Sequence, residues 1–132
     1  MKNKWLNRSL LEFGYYTLCL TEKQYQKVLK HLNVPACNAP SFLHNPYADA
    51  SVHHFERDGK LSHVVCLGSC DGKDEDQVLA LLVHEAVHLW QEFKDHIGET
   101  SPGRESEAYA IQRLSQSLIG EYLRQTKRNK GK

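Results

Sequence analysis

One uninterrupted helical run dominates the chain. From Asp74 to Ile97 there is neither proline nor glycine, and Gly98 supplies a natural stop. At 1.5 Å per residue a helix over that span is about 36 Å long, enough to cross a whole small domain. The acidic residues at its start, Asp74, Glu75 and Asp76, suit the positive end of a helix dipole. With 132 residues in all, the chain has room for one domain with one modest core. The remaining elements must pack around this rod.

Upstream, "GYYTLCL" (14–20) is aromatic and β-rich and predicts a strand. Thr21 and Gln24 stand at capping-box spacing ahead of Tyr25, Val28, Leu29 and Leu32, which share one helical face; Pro35 ends that helix. Residues 36–48, with two prolines and little periodicity, read as a loop. In "DASVHHFERDGKLSHVVCLG" (49–68) two β-rich runs flank Asp58-Gly59, a strong hairpin signal. After the long helix, "ETSPG" (99–103) is a tight loop. "RESEAYAIQRLSQSLIGEYLRQ" then sets Ala108, Ile111, Leu114, Leu118 and Tyr122 on one face of a second amphipathic helix. This order predicts an α+β fold, a small β-sheet with its hairpin packed against the long helix and a C-terminal helix.

Composition excludes more than it assigns. Hydrophobic content of 40% and charged content of 25% are ordinary for a soluble globular protein. A formal net charge of +1 gives no reason to expect a specific nucleic-acid or membrane partner. No segment approaches the ~20 apolar residues needed to span a bilayer. Asn7, Arg8, Ser9, Glu12 and Gly14 break up any secretory signal. Cys19, Cys37, Cys66 and Cys70 lack the spacing of a secreted disulfide framework and read as reduced thiols of a cytoplasmic protein. "RQTKRNKGK" (124–132) holds five basic residues and no acid. It reads as a frayed, solvated tail, which leaves residues 1–123 as the folded domain.

The chemistry lies inside the long helix, in "LLVHEAVHLWQ" (81–91). Residues four apart project from one face about a turn apart, so His84 and His88 can meet one metal ion through bonds of about 2.0–2.1 Å. Glu85 lies ~100° around the helix from His84, clear of that position but within reach of a water on the ion. Two ligands and a general base on one turn is the logic of the His-Glu-x-x-His pattern. Zinc lowers the water's pKa to roughly 7, and the glutamate takes its proton as it attacks a carbonyl carbon. Burying two imidazoles and a carboxylate among Val78, Leu81, Leu82 and Leu89 costs several kcal/mol unless they are satisfied. One ion satisfies all three; the plainer alternative is three separate hydrogen bonds in a core helix.

A catalytic zinc wants a third protein ligand. The loop at 98–103 brings the last helix back alongside the first, so Glu105 and Glu107 are both candidates. Periodicity favours Glu107, nearer the apolar face, whereas Glu105 has Tyr109 four residues on as a hydrogen-bonding partner. His53, His54 and His63 on the hairpin could add a ligand or an oxyanion donor, as could the Tyr109 hydroxyl, although packing is the ordinary role for such residues. Trp90 reads as a helix-packing residue.

Beyond spacing, "HEAVH" followed by a loop and "ESEAYAIQ" resembles the zincin metallopeptidases of the glutamate-ligand branch, the gluzincins. The chain is also similar to small phage or prophage-encoded proteins with "HEAVH…WQ" and "EAYAIQ" runs. In several gluzincin families the second motif runs Glu-x-x-Ala-Asp or Glu-x-x-Ala-Asn. Matching Ala108 to that alanine puts Glu105 on the ligand glutamate; the departure is Tyr109, where those families carry Asp or Asn. The likeness covers residues 49–120 by order of elements and about fifteen positions by motif. It implies a single compact zincin-like domain over residues 1–123, with one Zn2+ held by His84, His88 and Glu105 and Glu85 as general base. It also implies an edge strand beside the active-site helix that pairs with an extended peptide or protein substrate. The expected function is a cytoplasmic zinc-dependent hydrolase, a metallopeptidase. The alternative is a zincin-shaped phage accessory or regulatory binding module whose zinc is structural and which cuts nothing.

Overall fold

The computed structural model describes residues 3–6 and 15–130. Its elements are β1 (Tyr15–Cys19), α1 (Glu22–His31), a 3-10 turn (Ala36–Asn38), β2 (Ala50–Arg57), β3 (Lys60–Leu67), α2 (Glu75–His96) and α3 (Arg104–Lys130). The order is the one the sequence predicts, and local chemistry accounts for most of the boundaries. Thr21 Oγ1 accepts from the Gln24 N–H at 3.1 Å while Gln24 Oε1 accepts from the Thr21 N–H at 3.2 Å, a reciprocal cap for α1. Asp74 and Gln77 repeat that cap at the start of α2, and Gly98, at φ 75°, ends the helix. Asp58 and Gly59 both adopt left-handed backbone, φ 53° and 78°, which a two-residue hairpin needs if its twist is to match the strands.

The three strands form a mixed sheet in the order β1-β3-β2, with β1 parallel and β2 antiparallel to β3. Alternation sends side chains to opposite faces. Tyr16, Leu18, Val52, Val65 and Leu67 pack on Val78, Leu82, Ala86, Leu89 and Phe93 of α2 and on Ala110, Leu114 and Leu118 of α3. Cys19, Val64 and Cys66 pack on Tyr25, Val28 and Leu29 of α1. The result is a small α+β domain of three layers, α1, sheet, then the α2–α3 pair. Among the described residues no helix is long and apolar enough to cross a membrane.

Two expectations for the last helix need correction. Ala110, not Ala108, lies on the buried face, so α3 is rotated relative to the face predicted for it. The segment expected to fray from 124 onward is helical through Lys130. Its anchor is Gln125, only 2% exposed, which accepts from Gln24 Nε2 at 2.9 Å and donates to the Leu18 carbonyl at 3.3 Å. One turn earlier the buried Glu121 carboxylate is gripped by the Arg124 guanidinium through both Nε and Nη2. Gln125 and Glu121 can be buried on the inward face because each finds a partner. The Gln125 pairing is tertiary, and basic composition alone hides it.

The two sheet edges differ. Along the outer side of β1, Trp5 bridges Thr17, the Leu6 N–H donates to the Tyr16 carbonyl at 3.0 Å, and Thr17 Oγ1 donates to the Lys4 carbonyl at 2.8 Å. Among the described residues, strand β2 has no strand beyond it. Gln125→Ala removes both buried bonds at the end of α3, and the expected cost is about 1–3 kcal/mol in urea unfolding. A loss below about 0.5 kcal/mol would return 124–130 to the status of a solvated end.

Candidate metal and catalytic site

The apolar stripe of α2 faces the sheet and α3, which fixes the helix's rotation. His84 and His88 consequently emerge exposed, with His84 beside the start of β2, while Glu85 is 4% exposed. The imidazoles converge, with His84 Nε2 3.2 Å from His88 Nε2. Two nitrogens bound to one tetrahedral zinc at about 2.05 Å stand about 3.3–3.4 Å apart, so the pair has the spacing of a metal chelate. The tautomer fits as well. His88 Nδ1–H donates to Gln91 Oε1 at 3.1 Å, leaving the Nε2 lone pair turned toward His84. With that tautomer His84 Nε2–H donates to the His88 Nε2 lone pair at 3.2 Å.

Glu85 sits beside this pair. Burial raises its carboxyl above the usual carboxylate range, opposed by positive charge on His88, His84 and His44. His44, in the loop before β2, is therefore part of the same electrostatic neighbourhood. Its Nε2–H donates to the Val52 carbonyl at 3.2 Å. The strand register explains that contact. The Gly68 N–H donates to the Asp49 carbonyl at 2.8 Å, so odd-numbered residues of β2 bond to β3. Ala50, Val52, His54 and Glu56 then turn their main-chain groups to the open edge, and His44 covers the one at Val52.

The third ligand expected from the sequence does not join the pair. Among the described residues no three His, Cys, Asp or Glu side chains form a group that could hold a metal ion. Glu105 is exposed, two residues away from the α3 line that carries Glu107, Ala110, Leu114 and Leu118 inward. Glu107 does face α2, but it accepts the Trp90 indole N–H at 2.8 Å. A buried indole needs such a partner. The donor chemistry and spacing of His84 and His88 fit zinc; a completed set of three is not assembled. Trp90 is the packing residue the sequence predicts.

The hairpin histidines divide between the faces. His53 lies on the α1 side, donating Nε2–H to the Phe42 carbonyl at 2.9 Å, stacking on Tyr25 and meeting the His44 ring edge-on. His54 and His63 lie on the α2 side with their Nδ1 atoms 2.6 Å apart, and His54 Nε2 is 3.7 Å from Glu92 Oε1. Burial, aided by His54 and His96, pushes the fully buried His63 down to about 3, so it is neutral. Tyr109 is 58% exposed on α3. Sequence reasoning passed over His44, Gln91 and Glu92. Gln91 was readable as the residue three beyond His88, on the same face. Nothing in a proline-containing loop announces His44.

Two pH effects follow. The raised pKa of Glu85 means ionisation costs the fold as pH rises past about 4.5, so Glu85→Gln should lift the melting temperature at pH 7 in zinc-free buffer and lose that advantage near pH 4. For His63 the unfolded chain binds the proton first as pH falls from 6.5 toward about 3, so stability drops there by at most about 1.4 kcal/mol per pH unit. His63→Leu should flatten that slope in pH-resolved unfolding; an unchanged slope would mean another group carries it. Searches against protein-family models, curated proteins and solved structures find no match, so function rests on the site itself.

Proposed function

We propose that the chain is a zinc-dependent hydrolase, and within that class a peptidase, with His84 and His88 as zinc ligands and Glu85 as general base. The observation that carries the reading is the 3.2 Å between the two Nε2 atoms, with the His88 lone pair aimed by Gln91. An antiparallel edge strand that contacts the helix bearing His-Glu-x-x-His supports a zincin-like arrangement of the domain. When bound, zinc supplies a Lewis acid that polarises a carbonyl and lowers a water's pKa to about 7.

The chain's own residues do the rest. Glu85, its pKa lifted by burial, suits a group that takes a proton from attacking water and returns it to the leaving amine. The outward N–H and C=O groups of Ala50 and His54 orient an extended backbone along β2, as strand addition requires. A substrate pairing at Val52 displaces His44, whose freed N–H then becomes a donor in the same cleft. The third ligand implied by the resemblance, Glu105, requires the first turn of α3 to rotate; Glu107 requires release of the Trp90 indole.

That unmet requirement favours a second reading: a binding module that captures extended peptides at β2 without cutting them. Metal analysis and peptide-library digestion separate the two. One zinc per chain is expected, lost in His84→Ala and His88→Ala and kept in Glu85→Gln. Chelator-sensitive cleavage should fall about 10²–10⁴-fold in Glu85→Gln. Cleavage by Glu85→Gln at the wild-type rate overturns the assigned base, and peptide binding with no cleavage by zinc-loaded wild type selects the second reading.

A further inference from the structure

We infer that one face of α3, from Tyr109 to Lys127, together with Lys4, binds the backbone of single-stranded nucleic acid, with the Tyr109 ring as a stacking platform for a base. The net charge of +1 averages over an uneven distribution. From Ala108 to Lys130, α3 carries Arg113, Arg124, Lys127, Arg128 and Lys130 against a single acid, Glu121. Tyr109, Arg113, Ser117, Gly120, Arg124 and Lys127 follow one another at steps of three or four residues, which places them on one narrow stripe of the helix. A cavity of about 460 Å³ opens along that stripe, with Arg113, Ser117, Gly120 and Arg124 on one side and Lys4 and Leu6 on the other. Residues 4 and 6 bond to the outer side of β1, so this surface lies at the opposite border of the sheet from β2.

The chemistry of the stripe fits a polymer of phosphates. Glu121 is 3% exposed and already gripped by Arg124, so that pair cancels. Lys4, Arg113 and Lys127 then give the surface a net charge of +3 among the described residues. Arg113 and Lys127 stand about 21 Å apart along the helix axis, a span that outruns any single phosphate. Gly120 occupies an exposed position in the helix interior, where glycine weakens a helix and where an added Cβ meets nothing within 4 Å. Packing does not require a glycine there; its effect is to keep the cavity floor open to a bulky anionic group. Tyr109, 58% exposed, stands one turn before Arg113. An aromatic ring beside a row of cations suits a single strand, with a base on the ring and phosphates on the charged heads. A duplex keeps its bases stacked away from such a ring. Among the described residues Tyr109 is the only exposed large apolar side chain of α3, too little for insertion into a lipid surface.

The test uses the full chain and a labelled oligothymidylate of about twenty nucleotides, read by fluorescence anisotropy from about 50 to 200 mM NaCl. Three phosphate contacts predict a roughly twentyfold loss of affinity across that range. Arg113→Gln combined with Lys127→Gln should weaken binding at least tenfold at the lower salt and shrink the salt effect to about threefold. Lys23→Gln combined with Lys60→Gln, an equal loss of charge at exposed positions on α1 and the hairpin, should change binding less than twofold. Tyr109→Ala should weaken the oligothymidylate complex about fivefold or more, and a duplex of the same length less than twofold. Gly120→Glu improves helix propensity while setting a carboxylate in the cavity, so it should weaken binding with no loss of melting temperature. No binding at the lower salt, equal losses in the two double variants, or wild-type binding by Tyr109→Ala overturns the inference. Polyglutamate or phosphatidylserine vesicles that displace the strand as well as unlabelled oligothymidylate does, at equal charge, also overturn it and assign the surface to an acidic protein or a lipid headgroup layer.

Discussion

The candidate site of this protein depends on how α2 is turned about its own axis, and apolar contact sets that angle. Leu82, Leu89 and Phe93 are fully buried against the sheet and α3. Each such side chain stabilises the fold by about 1.5–3 kcal/mol relative to exposure. A turn of one residue, about 100°, would expose several of them, while a typical hydrogen bond offers only about 1 kcal/mol in return. The imidazoles of His84 and His88 therefore point where the greasy positions leave them, out beyond the open strand. Glu85, between the two directions, is drawn inward.

What was legible in the sequence was what local chemistry decides. The Thr21–Gln24 and Asp74–Gln77 caps, the Asp58-Gly59 turn and the glycine at 98 each mark a boundary through groups only a few residues apart. His84, Glu85 and His88 were legible for the same reason, since helical spacing alone brings the imidazoles together. The limits appear wherever one element must meet another. Which face of α3 meets α2 is decided by Ala110, Leu114 and Leu118 jointly, and that choice turns Glu105 outward and gives Glu107 to Trp90. Gln125 looked like part of a solvated tail because its partners, Gln24 and the Leu18 carbonyl, lie about a hundred residues away in the chain.

The places where the fold departs from ordinary burial cluster around the same helix. Glu85 carries a carboxylate into a nearly closed position, and His63 is buried whole with its Nε2 unpartnered. The His63 arrangement is cheapest when Nδ1–H donates to His54, because the orphan atom is then an acceptor and not a proton donor. In that tautomer His54 presents Nε2–H toward Glu92, one turn past His88 on α2. Strand and helix are thereby linked by a polar bridge rising from the core to the rim of the candidate site. Such exceptions are tolerated where a position serves something besides stability.

The asymmetry of the sheet's borders has a consequence for how copies of the chain behave toward one another. A bare strand is a template on which any extended polypeptide can assemble, including an identical neighbour. Residues 4–6 guard the β1 side, whereas on the β2 side, among the described residues, the imidazole of His44 is seated on the Val52 carbonyl. That plug interrupts the ladder near its start. An identical neighbour or any other extended chain pairing along β2 would first have to lift the ring from that carbonyl.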